Sequence, residues 1–167
     1  MFETVTVSRC LEFAIETEKL GAGLYARLAE RFKDDRELRE LFWGLAGDEA
    51  KHEQLFRTLL DRIPPEVRNA DISFERQNYL RAMSVSEVFS GNMSVGKAAE
   101  SIRTRDDALG RAMDLEKATL SYYQAVSDII GADETIEALI AVEKSHVAKV
   151  MELMITGAKY RGLDDRG

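Results

Sequence analysis

The sequence is short of the residues that build most specialised sites. It has one cysteine, Cys10, so no disulfide can close within it and no Cys-x-x-Cys motif exists. It has two prolines, Pro64 and Pro65, side by side. Breakers gathered at one place favour long helices over many short strands. Lys and Arg number 23 against 30 Asp and Glu, for a net charge of −7. That balance argues against nucleic acid, whose phosphates need clustered cations, and against an anionic membrane surface. No apolar run reaches the roughly 18 residues of a membrane span. Glu3, Arg9 and Glu12 leave no apolar core for a signal peptide, so a cytoplasmic protein is expected. Histidine is nearly missing too: only His52 and His146 are present.

What is there reads as one all-α domain over residues 1–167. Charged residues make up 32%, above the roughly 25% of an average domain, as amphipathic helices with one wet face would produce. Apolar positions at alternating steps of three and four mark four helices. The first runs Leu11, Ile15, Glu18, Ala22, Tyr25, Ala29, Phe32, with Ser8 as its expected N-cap. The second runs Leu38, Phe42, Leu45, Glu49, His52, Phe56, Leu59. Asp34 and Asp35 can cap it, Asp34 with Glu37 resembling a capping box, and Pro64-Pro65 ends it.

The third stripe begins after Thr104 with Leu109, Met113, Glu116, Leu120, Tyr123, Ser127 and Ile130, and Gly131 stops it. The fourth, capped by Asp133, runs Ile136, Leu139, Glu143, His146, Val150, Leu153, with Gly157 as its expected end and a frayed tail after Tyr160. Two hairpins, 8–63 and 104–157, are thus joined by a crossover, 64–103. The crossover reads as short helical pieces at 74–83, 86–89 and 95–102, with a turn at Gly91-Asn92. Its length could return the chain along the bundle, so that helices two and three run parallel.

The halves repeat. Adding 98 carries Glu18 to Glu116 and Tyr25 to Tyr123; adding 94 carries Glu49 to Glu143 and His52 to His146. The change of offset predicts a shorter second hairpin loop. Each Glu-x-x-His step puts both side chains on one helix face, about 4.5 Å apart along the axis. One glutamate on an apolar stripe usually reaches back to water, and one histidine usually finds a core hydrogen bond. Six such residues converging on one interior are a different matter. Buried carboxylates cost several kcal/mol each if unpaired, and no Lys or Arg lies on the four stripes. Two divalent cations would balance four carboxylates, and two neutral imidazoles complete the set. Glu18, Glu49, His52, Glu116, Glu143 and His146 are therefore the expected metal ligands. Such donors suit Fe, Mn or Zn.

The segments Glu18-Lys-Leu-Gly-Ala-Gly-Leu-Tyr25, Glu49-Ala-Lys-His52, Glu116-Lys-Ala-Thr-Leu-Ser-Tyr-Tyr123 and Glu143-Lys-Ser-His146 resemble those of rubrerythrin-like members of the ferritin-like superfamily. The resemblance spans both hairpins. It implies a ferritin-like four-helix bundle in which Glu from two helices and Glu-x-x-His from the other two hold two iron ions. It also implies that Glu18 and Glu116 are ligands from helices one and three, Glu49 and Glu143 bridging carboxylates, and His52 and His146 terminal ligands. The activity it implies is reduction of hydrogen peroxide, the iron pair passing from Fe(II) to Fe(III) and an external donor restoring it.

Two positions depart from the family. One cysteine cannot form a rubredoxin iron site, so the donor would be another molecule, such as a rubredoxin-like protein. Thr119 stands where classical rubrerythrins carry a further glutamate, which leaves the ligand set symmetric. Oxidation of Fe(II) by dioxygen, as in a ferroxidase, and a non-enzymatic metal-binding role are the alternatives. A homodimer is expected, and the crossover residues Ile72, Phe74, Tyr79 and Phe89 could cover a bundle end or a partner. Tyr25 and Tyr123, two turns past the ligand glutamates, either support ligand carboxylates or fill the core. Gly21 either packs closely or leaves room for a small oxidant. Trp43 is expected to pack at a helix edge, and Cys10 to be a small buried residue.

Overall fold

A computed structural model describes residues 5–82 and 95–164, and the described residues form four long helices and, in the crossover, three short ones. They are α1 (Val7–Arg31), α2 (Arg36–Arg62), α3 (Pro65–Arg68), α4 (Phe74–Ala82), α5 (Val95–Ser101), α6 (Arg105–Ile130) and α7 (Glu134–Asp164). None is long and apolar enough to cross a membrane among the described residues.

The inward stripes are those the spacing marks. Every residue of the second stripe, from Leu38 to Leu59, is buried. In α1, Leu11, Leu24, Tyr25, Leu28 and Ala29 are fully enclosed, and in α6 Leu109 and Tyr123 match them. At the typical 25 cal/mol per Å² of apolar surface, each large side chain buried here stabilises the fold by roughly 1.5–3 kcal/mol.

Contacts between helix ends fix the topology. Arg105, first residue of α6, pairs with Asp35 and Glu37 at the start of α2, at 2.5 and 2.6 Å. Arg62, last of α2, pairs with Asp133 just before α7, at 2.5 Å. Hence α2 and α6 start at the same end and run parallel, as the crossover length allowed. Tyr122, late in α6, donates to the carbonyl of Cys10, early in α1, at 3.0 Å, so these two helices are antiparallel. The crossover is tied back to the first helix by Val7 N–H to the Ala70 carbonyl and Ile72 N–H to that of Val5.

The caps are local chemistry with some surprises. Thr104 and Asp107 form a reciprocal capping box on α6, and Gly131 ends that helix at φ 84°, a region open to glycine. Asp133 accepts from Thr135 and Ile136 N–H groups at the head of α7. On α1 the cap is Thr6, not Ser8: its hydroxyl accepts from Arg9 N–H, and Ser8 lies inside the helix. On α2 the cap is Asp35, which accepts from Leu38 N–H, so the Asp34–Glu37 box is not formed.

α7 continues through Gly157 to Asp164 rather than ending. A Cβ at Gly157 would sit 3.7 Å from the Arg105 guanidinium, an ordinary contact. The second hairpin is tighter, but mostly not in its loop. Arg36 precedes Glu49 by 13 residues and Glu134 precedes Glu143 by 9, so α7 lacks one turn before its ligands.

In the crossover, α4 and α5 lie where helical pieces were expected, and α3 was not foreseen. Ile72 is buried, whereas Phe74 is 65% exposed. The Tyr79 side chain, the piece at 86–89 with Phe89, and the Gly91-Asn92 turn lie outside the described residues. Trp43 is 47% exposed, one step around α2 from the buried Phe42, and lines a surface hollow with Gly23, Ala26 and Arg27 of α1.

Candidate metal centre

All six sequence-marked ligands come together at mid-height of the bundle. Glu18 comes from α1, Glu49 and His52 from α2, Glu116 from α6, and Glu143 and His146 from α7. None is more than 4% exposed. They form two groups of four: Glu18, Glu49, His52 and Glu143; and Glu49, Glu116, Glu143 and His146. Within each group, one donor atom per residue lies within 4.8 Å of all the others.

Glu49 and Glu143 belong to both groups, and each splits its oxygens between them. Glu143 turns Oε1 to His52 Nδ1 at 2.9 Å and Oε2 to His146 Nδ1 at 3.6 Å. Glu49 turns Oε2 to His52 Nδ1 at 3.4 Å and Oε1 to His146 Nδ1 at 3.9 Å. Glu18 faces only His52, at 3.7 Å, and Glu116 only His146, at 3.2 Å. The two rings lie 5.6 Å apart, centroid to centroid, and 25° from parallel.

Apart from Glu116 Oε2 and His146 Nδ1, which lie within hydrogen-bond distance at 3.2 Å, most of the donors point at one another without bonding. Both oxygens of Glu18, both of Glu143 and Nδ1 of His52 are buried with no hydrogen-bond partner. Even the 2.9 Å approach of His52 to Glu143 is not aligned as a hydrogen bond. Buried polar atoms are nearly always satisfied, so such a cluster needs a partner that accepts lone pairs. Oxygen and imidazole donors in shared groups of four are what two divalent ions take. The residues therefore fit a metal pair.

The electrostatics agree. Burial, then the charges of Glu18 and its neighbours, pushes Glu49 well above the usual carboxylate range. Burial raises Glu18 as well, against the pull of Glu49 and His52. Burial lifts Glu116 to about 7, opposed chiefly by His146. Burial alone would raise Glu143, but the facing imidazoles of His146 and His52 outweigh it and hold it at about 2. Burial alone would lower the histidines, yet the facing carboxylates raise His52 to about 9 and His146 to about 10. Without metal, protons are what hold this cluster together; metal binding must displace them.

Two supports stand behind the donors. Tyr25 O–H donates to Glu116 Oε1 at 2.5 Å, across from its own hairpin. Tyr123 packs edge-on against Phe56, and its buried hydroxyl has no partner. Asp48 Oδ2 lies 3.2 Å from His146 Nε2 and Oδ1 pairs with Lys51 at 2.8 Å. Sequence reasoning missed Asp48. Its only signal is a carboxylate one step before the Glu-x-x-His motif, which turns it toward the neighbouring helix instead of along its own stripe.

Cys10 is buried, and burial pushes its thiol up to about 11, so it is no nucleophile at neutral pH. Gly21 faces the site: a Cβ there would sit 3.6 Å from Cγ of Glu49, an ordinary contact. Gly21→Ala is therefore expected to keep the metal site and stabilise the protein by about 0.5–1 kcal/mol, since alanine is the better helix former. Thermal melts with metal analysis check this; a lost metal pair would mean that Glu49 needs the space. Larger side chains should displace Glu49.

This fold and these paired donor groups define a ferritin-like dimetal-carboxylate protein. The chain belongs to the rubrerythrin family, whose model matches residues 9–154. It is also similar in fold to a crystal structure of a Thermotoga maritima protein assigned as ferritin-like diiron-carboxylate, with a TM-score of 0.70 and 23% identity over 92% of this chain and 97% of that one. No curated protein sequence matches the chain.

Proposed function

We propose that this protein is a di-iron oxidoreductase that reduces hydrogen peroxide, H2O2 + 2 H+ + 2 e− → 2 H2O. An external donor of the rubredoxin type then returns the two electrons. The observation that carries the reading is the shared pair of carboxylates, Glu49 and Glu143, each dividing its oxygens between two histidines. In this reading Glu49 and Glu143 would be shared between the two ions, and Glu18 with His52 and Glu116 with His146 would each serve one of them. A bound iron pair supplies one electron from each ion and Lewis acidity toward oxygen.

The chain does the rest. Its four inward helix faces exclude water, which strengthens every charge interaction at the site. Tyr25 holds one oxygen of Glu116 and leaves the other for the site. Asp48 accepts from His146 Nε2, so that Nδ1 keeps its lone pair for metal. Membership of the rubrerythrin family supports peroxide as the oxidant. The single cysteine supports an external donor. A homodimer is part of this reading; a large hollow assembly in light scattering would point to iron storage instead.

The test is stopped-flow absorbance on protein loaded anaerobically with two equivalents of Fe(II). One portion meets peroxide and the other dioxygen. Much faster diferric growth with peroxide is the expected result. Equal or faster growth with dioxygen would overturn the reading in favour of a ferroxidase, and no redox change with either would leave a non-enzymatic metal protein.

A further inference from the structure

The halves repeat in sequence, yet the two metal positions are not built alike. Each offers three carboxylates and one imidazole, so charge and donor type do not separate them. Their supports do. Around Glu116 and His146 both terminal donors are held from behind. Tyr25 fixes Glu116 at 2.5 Å, and Asp48 fixes His146 at 3.2 Å.

Around Glu18 and His52 neither support is present among the described residues. Tyr123 occupies the place in the second half that Tyr25 has in the first, but its hydroxyl reaches no partner, and neither Glu18 oxygen has one. The residue corresponding to Asp48, 94 positions on, is Val142, which is apolar and 36% exposed. Two independent asymmetries, one in sequence and one in geometry, favour the same position.

We propose that the two metal positions are unequal: Glu49, Glu116, Glu143 and His146 take the first divalent ion and hold it tightly, while the position of Glu18, Glu49, His52 and Glu143 fills second and exchanges its ion more readily. Tyr25 and Asp48 are the positioning residues that set the order. The inference rests on the dimetal reading of the site but not on the oxidant. Its physical basis is preorganisation: donors already locked in place lose less freedom when an ion arrives. Outer partners of metal ligands are typically worth 10–100-fold in affinity. Two on one position and none on the other should separate the binding steps by at least about tenfold. A consequence is that mixed-metal pairs can be made in a defined order, the first ion staying while the second is replaced.

The experiment is anaerobic titration of the full metal-free chain with Mn(II), followed by electron paramagnetic resonance. After one equivalent the bound signal should be that of an isolated ion; the exchange-coupled signal should grow only with the second. Glu18→Gln should keep the tight step and lose the weak one, and Glu116→Gln should do the reverse. Asp48→Ala, at a partly exposed position, should weaken the tight step about tenfold or more while the weak step stays put. Val142→Asp, which adds the missing carboxylate behind His52, should draw the steps together. Equal affinities in the wild-type chain, a coupled signal from the first equivalent, or loss of the tight step in Glu18→Gln would overturn the proposal and leave the dimetal site standing. Uptake of fewer than two ions by the wild-type chain would overturn the dimetal reading and this inference with it.

Discussion

Glutamine at Glu143 or at Glu49 should abolish the metal pair, yet the two variants should differ sharply once metal is removed. Both side chains offer one oxygen to each histidine, so either change removes a donor from both positions at once. The loss in affinity should exceed the roughly 10–100-fold that outer partners are worth. The metal-free states separate the two. Glu143 is held ionised, at about 2, by His146 and His52, so Glu143→Gln strips a buried charge pair of its anion. Breaking such a pair typically costs about 3–5 kcal/mol. Burial, then the charge of Glu18, pushes Glu49 well above the carboxylate range, so burial disfavours its charge and glutamine removes less than at Glu143. Glu49→Gln should thus lower the metal-free melt less than Glu143→Gln. Metal content by elemental analysis and melts of chelator-treated protein read both effects. Two ions retained in either variant would remove the six-ligand assignment.

The six donors are legible in the sequence because they break a strong rule at regular intervals. Glu18, Glu49, Glu116 and Glu143 sit where helical spacing demands apolar residues, and the repeat places the violations in register. A charge in a core stripe is costly enough that its recurrence needs a physical cause. Asp48 breaks no rule: it is off the stripe and partly exposed, like many helix-surface acids, and its role appears only when α7 packs beside α2. The boundaries failed for other reasons. Val7, the first residue of α1, has its N–H satisfied by the Ala70 carbonyl, and α7 runs on through Gly157 to Asp164. The cap misses are choices between adjacent candidates of like chemistry, Thr6 over Ser8 and Asp35 over Asp34. The unlike behaviour of Tyr25 and Tyr123 lies in the packing: equal places in the repeat, but only one hydroxyl within reach of a carboxylate.

Metal-free protein should be most stable in mildly acidic solution and lose stability as pH rises, while the loaded protein should not. Glu116 has a folded pKa of about 7 against an ordinary 4.5, so its contribution is fully present below the unfolded value and is lost as pH climbs through 7. At 1.36 kcal/mol per pKa unit this group alone is worth about 3 kcal/mol. Glu18 and Glu49, also raised, act with the same sign. So do His52 and His146, raised from 6.5 to about 9 and 10, whose contributions are full below pH 6.5 and vanish as pH passes those values. Glu143 opposes them only in acid: depressed to about 2, it adds stability above 4.5 that is lost as pH falls through 2. The maximum for the stripped protein therefore lies near pH 4.5, where Glu143 is ionised in the fold and the raised carboxyls have not begun to lose their contribution. With metal bound, the same donors have already released their protons, so affinity rises with pH instead. The gap in melting temperature between loaded and chelator-treated protein should widen steadily from about pH 5.5 to about pH 8.5. Melts across that range test it, and calorimetry in buffers of different ionisation enthalpy should register several protons released per metal pair. A stripped protein that melts higher at the alkaline end, or metal uptake without proton release, would mean that the cluster is not held together by protons when metal is absent.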